Sequence, residues 1–220
     1  MINFLIVLFG VSMLYMATSS RITAQINMLK LQGIILCLIT FMAHDNNMHN
    51  LLVISFLLLE TFVVKALVIP LFLERVAKKN NIRRDSNPNF PNFYTLVIST
   101  VVLFAGFMIA NIHSENMNNL SGLYFGISIS TIITSFLFIA LKKKLLTHVI
   151  GFAMLENGIF LLSLSIAKEM PLIVSLGVLL DVFIAVFILG LLIGEIGHAY
   201  EENPDVQLLT NLRDCEEVNE

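Results

Sequence analysis

The sequence predicts an all-α, polytopic integral membrane protein of about seven transmembrane helices. The first observation behind this prediction is composition: 57% of the residues are hydrophobic and 13% are charged. Soluble domains average about 45–50% apolar and about 25% charged residues. The second is a series of apolar runs, since a helix needs roughly 17–25 residues to cross the hydrocarbon core. The runs lie near residues 2–18, 27–43, 51–74, 93–112, 119–141, 145–167 and 172–198.

The first apolar run could be taken for a secretory signal peptide. Residues 2–18 are not preceded by a basic segment, which signal peptides carry, and further spans follow. We therefore expect this run to be retained as the first transmembrane helix.

Lysine and arginine are concentrated on one side of the predicted bundle. The first, third and fifth connections, with adjoining helix ends, and the C-terminal tail contain all of these residues except Lys65 and Lys168. Because basic residues favour the cytoplasmic side, we expect the N-terminus outside and the C-terminus inside. The third connection, "RVAKKNNIRRDSNPNFPNF", is interpreted as a topology signal, or as a docking surface for a cytoplasmic partner or anionic lipid.

The chain divides into a helical membrane domain, residues 1–198, and an acidic cytoplasmic tail, residues 199–220. Sliding the third span by 121 positions onto the seventh aligns Glu60 with Asp181. This match suggests a parallel repeat of residues 1–74 and 119–198, with span 93–112 as the connector. The small alphabet of apolar helices also produces such matches by chance.

Four ionisable residues fall deep inside the predicted spans: Glu60, Lys65, Glu156 and Asp181. An Asp or Lys at the centre of a transmembrane helix costs about 2.5–3.5 kcal/mol on insertion scales. Such groups must therefore be paired, neutral, or facing water or protein. They either mark an ion pathway or hold helices together as structural pairs.

Glu156 and Asp181 are expected at nearly the same depth. The sixth and seventh spans form a hairpin around "KEMP", with Glu156 before it and Asp181 after it at similar distances. At 1.5 Å rise per residue, the two carboxyl groups lie within roughly 3 Å of the same depth. Two carboxyl groups at one level on neighbouring helices suit proton transfer.

Glu60 and Lys65 would point to different faces of an α-helix, because five residues turn the helix by about 140° beyond one full turn. We therefore expect each to meet a partner on another helix. Pro70, one turn further on, is expected to kink this span. His148, beside a run of three lysines, is interpreted as an interfacial residue, or as a proton entrance because imidazole titrates near neutral pH.

No motif indicates an enzyme that acts alone. The sequence contains no Cys/His cluster with metal-ligand spacing, no glycine-rich phosphate loop and no recognisable nucleophile–base pair. We therefore expect no cofactor and no metal. Nothing in the sequence indicates nucleic-acid binding.

Two segments near the C-terminus carry a family resemblance. They read "HVIGFAMLENGIFLLSLSI" from His148 and "MPLIVSLGVLLDVFIAVFILGLLIGE", which ends at Glu195. They closely resemble the hydrogenase-4 component E family, membrane subunits of group 4 nickel–iron hydrogenases and formate hydrogenlyases. The last spans of that family are similar to the K-type subunit of respiratory complex I and to the C-type subunit of multi-subunit cation/proton antiporters.

The resemblance implies a non-catalytic subunit in the membrane arm of a complex-I-like, redox-driven ion pump in the inner (cytoplasmic) membrane. Its partners would be antiporter-like and other membrane-arm subunits, and its ion would be a proton or sodium. Glu156 takes the place of an intramembrane glutamate of the K-type subunits, and Asp181 matches the acid of the "GVLLDV" element. One departure is Ser175, near a position where the family pattern often has an acid.

The expected proton-transfer residues are Glu156, Asp181, Glu60, Lys65 and His148. Two other functions stay open at this point. One is membership of a cation/proton antiporter without a redox partner. The other is a purely structural membrane subunit whose buried charges only join helices.

Overall fold

The computed structural model describes residues 1–43, 58–79, 92–112 and 119–166, together with Gly190. Nearly all of these residues are helical. Within the described ranges, six α-helices and one π-helix have the following bounds: α1 Ile2–Thr18, α2 Ile22–Ala43, π1 Glu60–Val68, α3 Ile69–Lys79, α4 Asn92–Ile112, α5 Asn119–Leu141 and α6 Leu145–Ile166.

Four helices in the described ranges are long and apolar enough to cross a membrane. Their apolar segments are Ile22–Met42, Phe93–Ala110, Gly122–Leu141 and Leu145–Ser165. The shorter apolar helix α1 is a fifth candidate. The predicted class, a helical membrane protein, is thus confirmed, with four or five candidate spans in the described ranges. The predicted outer loop before the third span, the acidic tail and the seventh span, apart from Gly190, lie outside the described residues.

Two clusters of buried apolar side chains form the core between the helices. One contains Met16 of α1, Ile26 of α2 and Ile150 of α6. The other contains Leu36 of α2 and Phe160 of α6. Because α2 and α6 contribute to both clusters, the polar residues in the middle of these two helices are enclosed.

Glycine allows two neighbouring helices to approach closely. A Cβ atom added to Gly106 of α4 would lie 2.5 Å from the carbonyl oxygen of Gly126 on α5. Small residues serve this purpose where helices pack within a bilayer. Gly190 likewise lies against the ring of Phe72 in α3, where an added Cβ would be 3.0 Å from a ring carbon.

The third predicted span differs from an ordinary α-helix. Ahead of Pro70, residues Glu60–Val68 form a π-helix, and the N–H of Ile69 donates to the carbonyl oxygen of Val64, five residues back. Pro70 has no N–H to donate to the preceding turn, so the change of helix type falls where the proline would leave a backbone carbonyl unpaired. The sequence indicated a disturbance at Pro70 but not a π-helix.

Candidate functional site

Lys65 and Glu156 form an ion pair in the interior of the helical bundle. The Nζ atom of Lys65 lies 2.9 Å from Oε1 of Glu156, and the two side chains are 2% and 1% exposed. Lys65 lies within π1 and Glu156 lies in the middle of α6. Removing either partner would leave a buried charge without compensation, which is strongly unfavourable.

This contact agrees with the prediction that Lys65 meets a partner on another helix. Sequence reasoning had instead expected Asp181 as the companion of Glu156, and Asp181 lies outside the described residues. The expected Glu156–Asp181 relationship therefore stays a prediction. One signal in the sequence could have indicated the pair. Lys65 has the opposite charge to Glu156, and the two residues lie at similar distances from the basic ends of their helices, so they are expected at similar depth.

Phe160 also contacts the lysine through its ring. Its ring centroid is 4.2 Å from Nζ of Lys65, and its side chain is buried. Phe160 follows Glu156 by four residues, so both side chains lie on one face of α6. An ammonium over an aromatic face gains about 2 kcal/mol or more when water is excluded. The lysine thus contacts a carboxylate and an aromatic ring of the same helix.

A hydrogen bond between two amide side chains joins α6 to α2 at the residue next to Glu156. Nδ2 of Asn157 donates a hydrogen bond of 3.3 Å to Oε1 of Gln32 on α2, and both side chains are buried. Asn157 is the sequence neighbour of Glu156. We call Gln32, Lys65, Glu156 and Asn157 the buried polar cluster; its two pairs join α6 to α2 and to π1.

Gly33 brings α2 against the backbone that carries Lys65. A Cβ atom at position 33 would lie 2.9 Å from both N and Cα of Ala66, and 3.0 Å from the carbonyl carbon of Lys65. Backbone atoms cannot swing aside as a flexible side chain can, so this approach requires glycine. Sequence reasoning did not single out Gly33.

The buried polar cluster has unused hydrogen-bonding capacity. Among the described residues, Nζ of Lys65, both carboxylate oxygens of Glu156 and Nε2 of Gln32 have no hydrogen-bond partner. The 2.9 Å contact is therefore an ion pair by distance, while its angles are not those of a hydrogen bond. Buried polar groups normally have partners. Chemically, these atoms are free to exchange a proton between the carboxylate and the ammonium.

The π-helix changes one argument made from the sequence. The 140° separation of Glu60 and Lys65 applies to an α-helix, but both residues lie in π1, where backbone hydrogen bonds join residues five apart. That angle is therefore wrong for this segment. The side chain of Glu60 lies outside the described part of the structure. Short π-helical segments occur frequently at functional sites.

His148 lies apart from the buried polar cluster. Its side chain is partly buried near the start of α6, and its backbone N–H donates to the carbonyl oxygen of Lys144. Eight residues separate it from Glu156, which corresponds to roughly 12 Å along the helix. The structure thus places His148 toward the lysine-rich end of α6 and not in contact with Glu156.

A second group of charged side chains joins α2 to α3 and consists of Lys30, Glu74 and Lys78. Oε2 of Glu74 lies 2.8 Å from Nζ of Lys30, and Oε1 of Glu74 lies 2.8 Å from Nζ of Lys78. The side chains are partly or largely exposed, unlike those of Lys65 and Glu156. The sequence placed Lys30 and Glu74 near span ends on the basic side without pairing them.

Metal-binding side chains are not grouped in the described part of the chain. Within residues 1–43, 58–79, 92–112 and 119–166, no group of three or more His, Cys, Asp or Glu side chains could hold a metal ion.

Comparison with known proteins gives a distant relative. No family model and no solved structure matches the chain. The chain is 29% identical to the uncharacterized protein Rv0085 of Mycobacterium tuberculosis over 159 residues, which cover 69% of each protein. The name of this relative gives no activity, so the hydrogenase-4 component E resemblance stays a prediction.

Proposed function

We propose that this chain is a non-catalytic membrane-arm subunit of a complex-I-like, redox-driven ion pump, in which the Lys65–Glu156 pair takes part in ion translocation. The observation that carries the proposal is this pair of opposite charges, both almost wholly buried, in a chain of apolar helices. Ionisable groups within membrane spans usually mark ion or proton pathways.

The pair has the chemistry of a proton-transfer station. Transfer of one proton from Nζ of Lys65 to the carboxylate of Glu156 converts an ammonium and a carboxylate into a neutral amine and a carboxylic acid. Burial disfavours charged forms, so it brings the neutral pair closer in free energy to the charged pair than in water. A passing proton or a change in a neighbouring charge could then shift the balance between the two forms.

The proposal also includes a topology. We propose seven spans in the inner (cytoplasmic) membrane, with the N-terminus outside and the C-terminus in the cytoplasm. The contact of Lys30 with Glu74 supports this arrangement, because it brings together two residues assigned to the basic side of the membrane.

Further members would extend the pathway on either side of the pair. His148, at the lysine-rich end of α6, would serve as the cytoplasmic entrance. Asp181 and Glu60 would connect the pair to antiporter-like subunits and other membrane-arm partners. These assignments rest on the family resemblance and on the depth argument from the sequence.

The proposal is tested with the assembled complex in proteoliposomes. We expect Glu156→Gln and Lys65→Met to insert and assemble but to lower ion translocation relative to redox turnover. Glu74→Gln is the matched control, because it removes a paired glutamate near the exposed end of the bundle. Full pumping by an assembled Glu156→Gln variant would exclude a role for the pair in translocation.

The antiporter alternative predicts different partners. A complex purified through this chain would contain antiporter subunits and no redox subunit, and it would exchange cations for protons without an electron donor. The structural alternative predicts that Glu156→Gln reduces assembly. In that case an apolar double variant, Lys65→Met with Glu156→Leu, would restore assembly and leave translocation intact.

A further inference from the structure

We infer that Lys65 determines ion specificity, by occupying the place beside Glu156 that a sodium ion would need. The inference rests on the proposed function and goes beyond it, because that proposal leaves the choice between proton and sodium open. It makes the buried pair a site that exchanges protons and excludes alkali cations.

Electrostatic repulsion from Lys65 disfavours a sodium ion at this site. Nζ of Lys65 is 2.9 Å from Oε1 of Glu156, and both side chains are almost fully shielded from solvent. A sodium ion bound to the same carboxylate would lie within a few ångströms of the ammonium. The repulsion of like charges grows as the local dielectric constant falls, so the second cation would be strongly disfavoured at a buried site.

A sodium ion at this site would also need oxygen ligands. Small hard cations are held by several oxygen atoms from carboxylates, carbonyl groups and water. In the buried polar cluster, the Oε1 atom of Gln32 already accepts the Nδ2–H of Asn157. The ring of Phe160, whose centroid is 4.2 Å from Nζ of Lys65, supplies no oxygen. The carboxylate and the ring together hold an ammonium, whereas a sodium ion would need further oxygen ligands.

A proton can still enter this site, because it needs no additional ligands. Protonation of the Glu156 carboxylate, or deprotonation of the Lys65 ammonium, changes the charge of the pair without adding a second cation. Removing the lysine charge has the opposite effect. The buried carboxylate would then require another positive charge, either a proton or a metal cation.

The test uses the full chain in nanodiscs, with glutamate carboxyl groups labelled by carbon-13. Infrared difference spectra are recorded as choline chloride is replaced by sodium chloride at constant ionic strength and pH, and Glu156→Gln identifies the Glu156 band. We expect this band to be insensitive to sodium in the wild type and in Lys65→Arg. In Lys65→Met we expect a saturable sodium response. Its apparent affinity for sodium should be at least about tenfold higher than the upper limit set by the wild-type titration.

Lys65→Gln is the second variant, which covers the case that Lys65→Met does not fold. A saturable sodium response of the wild-type Glu156 band would overturn the inference. So would insensitivity to sodium in every folded variant that lacks the lysine charge, recorded at a pH at which the Glu156 band is that of a carboxylate, because another feature would then exclude the ion.

The spectra require no redox turnover, so they separate the two proposals. A sodium response in the wild type would leave translocation through the pair standing, with sodium as the ion. Undiminished pumping by Glu156→Gln would remove the proposed function without changing the binding result.

Discussion

Gly33 of α2 packs directly against the backbone of Ala66 in π1, at the residue that follows Lys65. An added Cβ atom would lie 2.9 Å from N and Cα of Ala66, a distance that real Cβ atoms essentially never show. The position of the buried lysine thus depends on a contact between two backbones and not only on its own side chain.

We predict that Gly33→Ala separates α2 from π1 and weakens the Lys65–Glu156 contact. Overpacking of this kind typically costs about 1–3 kcal/mol of stability. Thermal denaturation of the purified full chain measures the loss. Gly122→Ala is the control, because nothing lies within 4 Å of a Cβ atom added there. Equal stability of the two variants would show that the helices separate without cost.

The Lys65–Glu156 pair is predicted to show strong coupling in a double-mutant cycle. Lys65→Met or Glu156→Leu alone leaves one buried charge unpaired, and each should lower stability by about 3–5 kcal/mol. The double variant replaces both charges with apolar groups, and it should be close to the wild type or more stable. Additive losses in the double variant would show that the two side chains do not interact.

The sequence predicted the helical class, the approximate positions of five apolar helices, and two charged residues within the predicted spans, Lys65 and Glu156, that are buried in the bundle. These features follow from length and composition, which the bilayer constrains strongly. It did not predict that Glu156 pairs with Lys65, because depth in the bilayer does not say which helices are neighbours. That information comes from contacts such as Gly33 with Ala66, for which hydropathy has no signal.

The π-helix was also not predictable from hydropathy. The segment "ETFVVKALV" has the apolar composition of an ordinary transmembrane helix. Only Pro70, just beyond it, indicated that the α-helical hydrogen bonds are interrupted. The angle expected between Glu60 and Lys65 was wrong because it assumed an α-helix.

Phe160 is predicted to stabilise the protein partly through the charge of Lys65. Phe160→Leu should be destabilising in the wild-type background, and its effect should be smaller when Lys65 is already methionine. The difference between the two backgrounds measures the cation–π contribution, for which we expect about 2 kcal/mol. Phe152→Leu on the same helix is the control, because Phe152 is exposed on the bundle surface. Equal losses in both backgrounds would assign the role of Phe160 to packing alone.

The two charged groups of this protein should respond differently to salt. The Lys30–Glu74–Lys78 group is partly open to solvent, whereas Lys65 and Glu156 are enclosed. Mobile ions screen interactions between exposed charges beyond a distance that falls from about 8 Å at physiological ionic strength to about 3 Å at 1 M salt, but they screen buried pairs much less. We therefore predict that the stability loss of Glu74→Gln is small and disappears at high salt. The larger loss of Glu156→Gln should persist.

Melting temperatures of both variants at low and high sodium chloride measure the difference, with choline chloride as the control for ion identity. A Glu156→Gln effect that disappears in both salts would mean that ions reach the pair, which is incompatible with its burial.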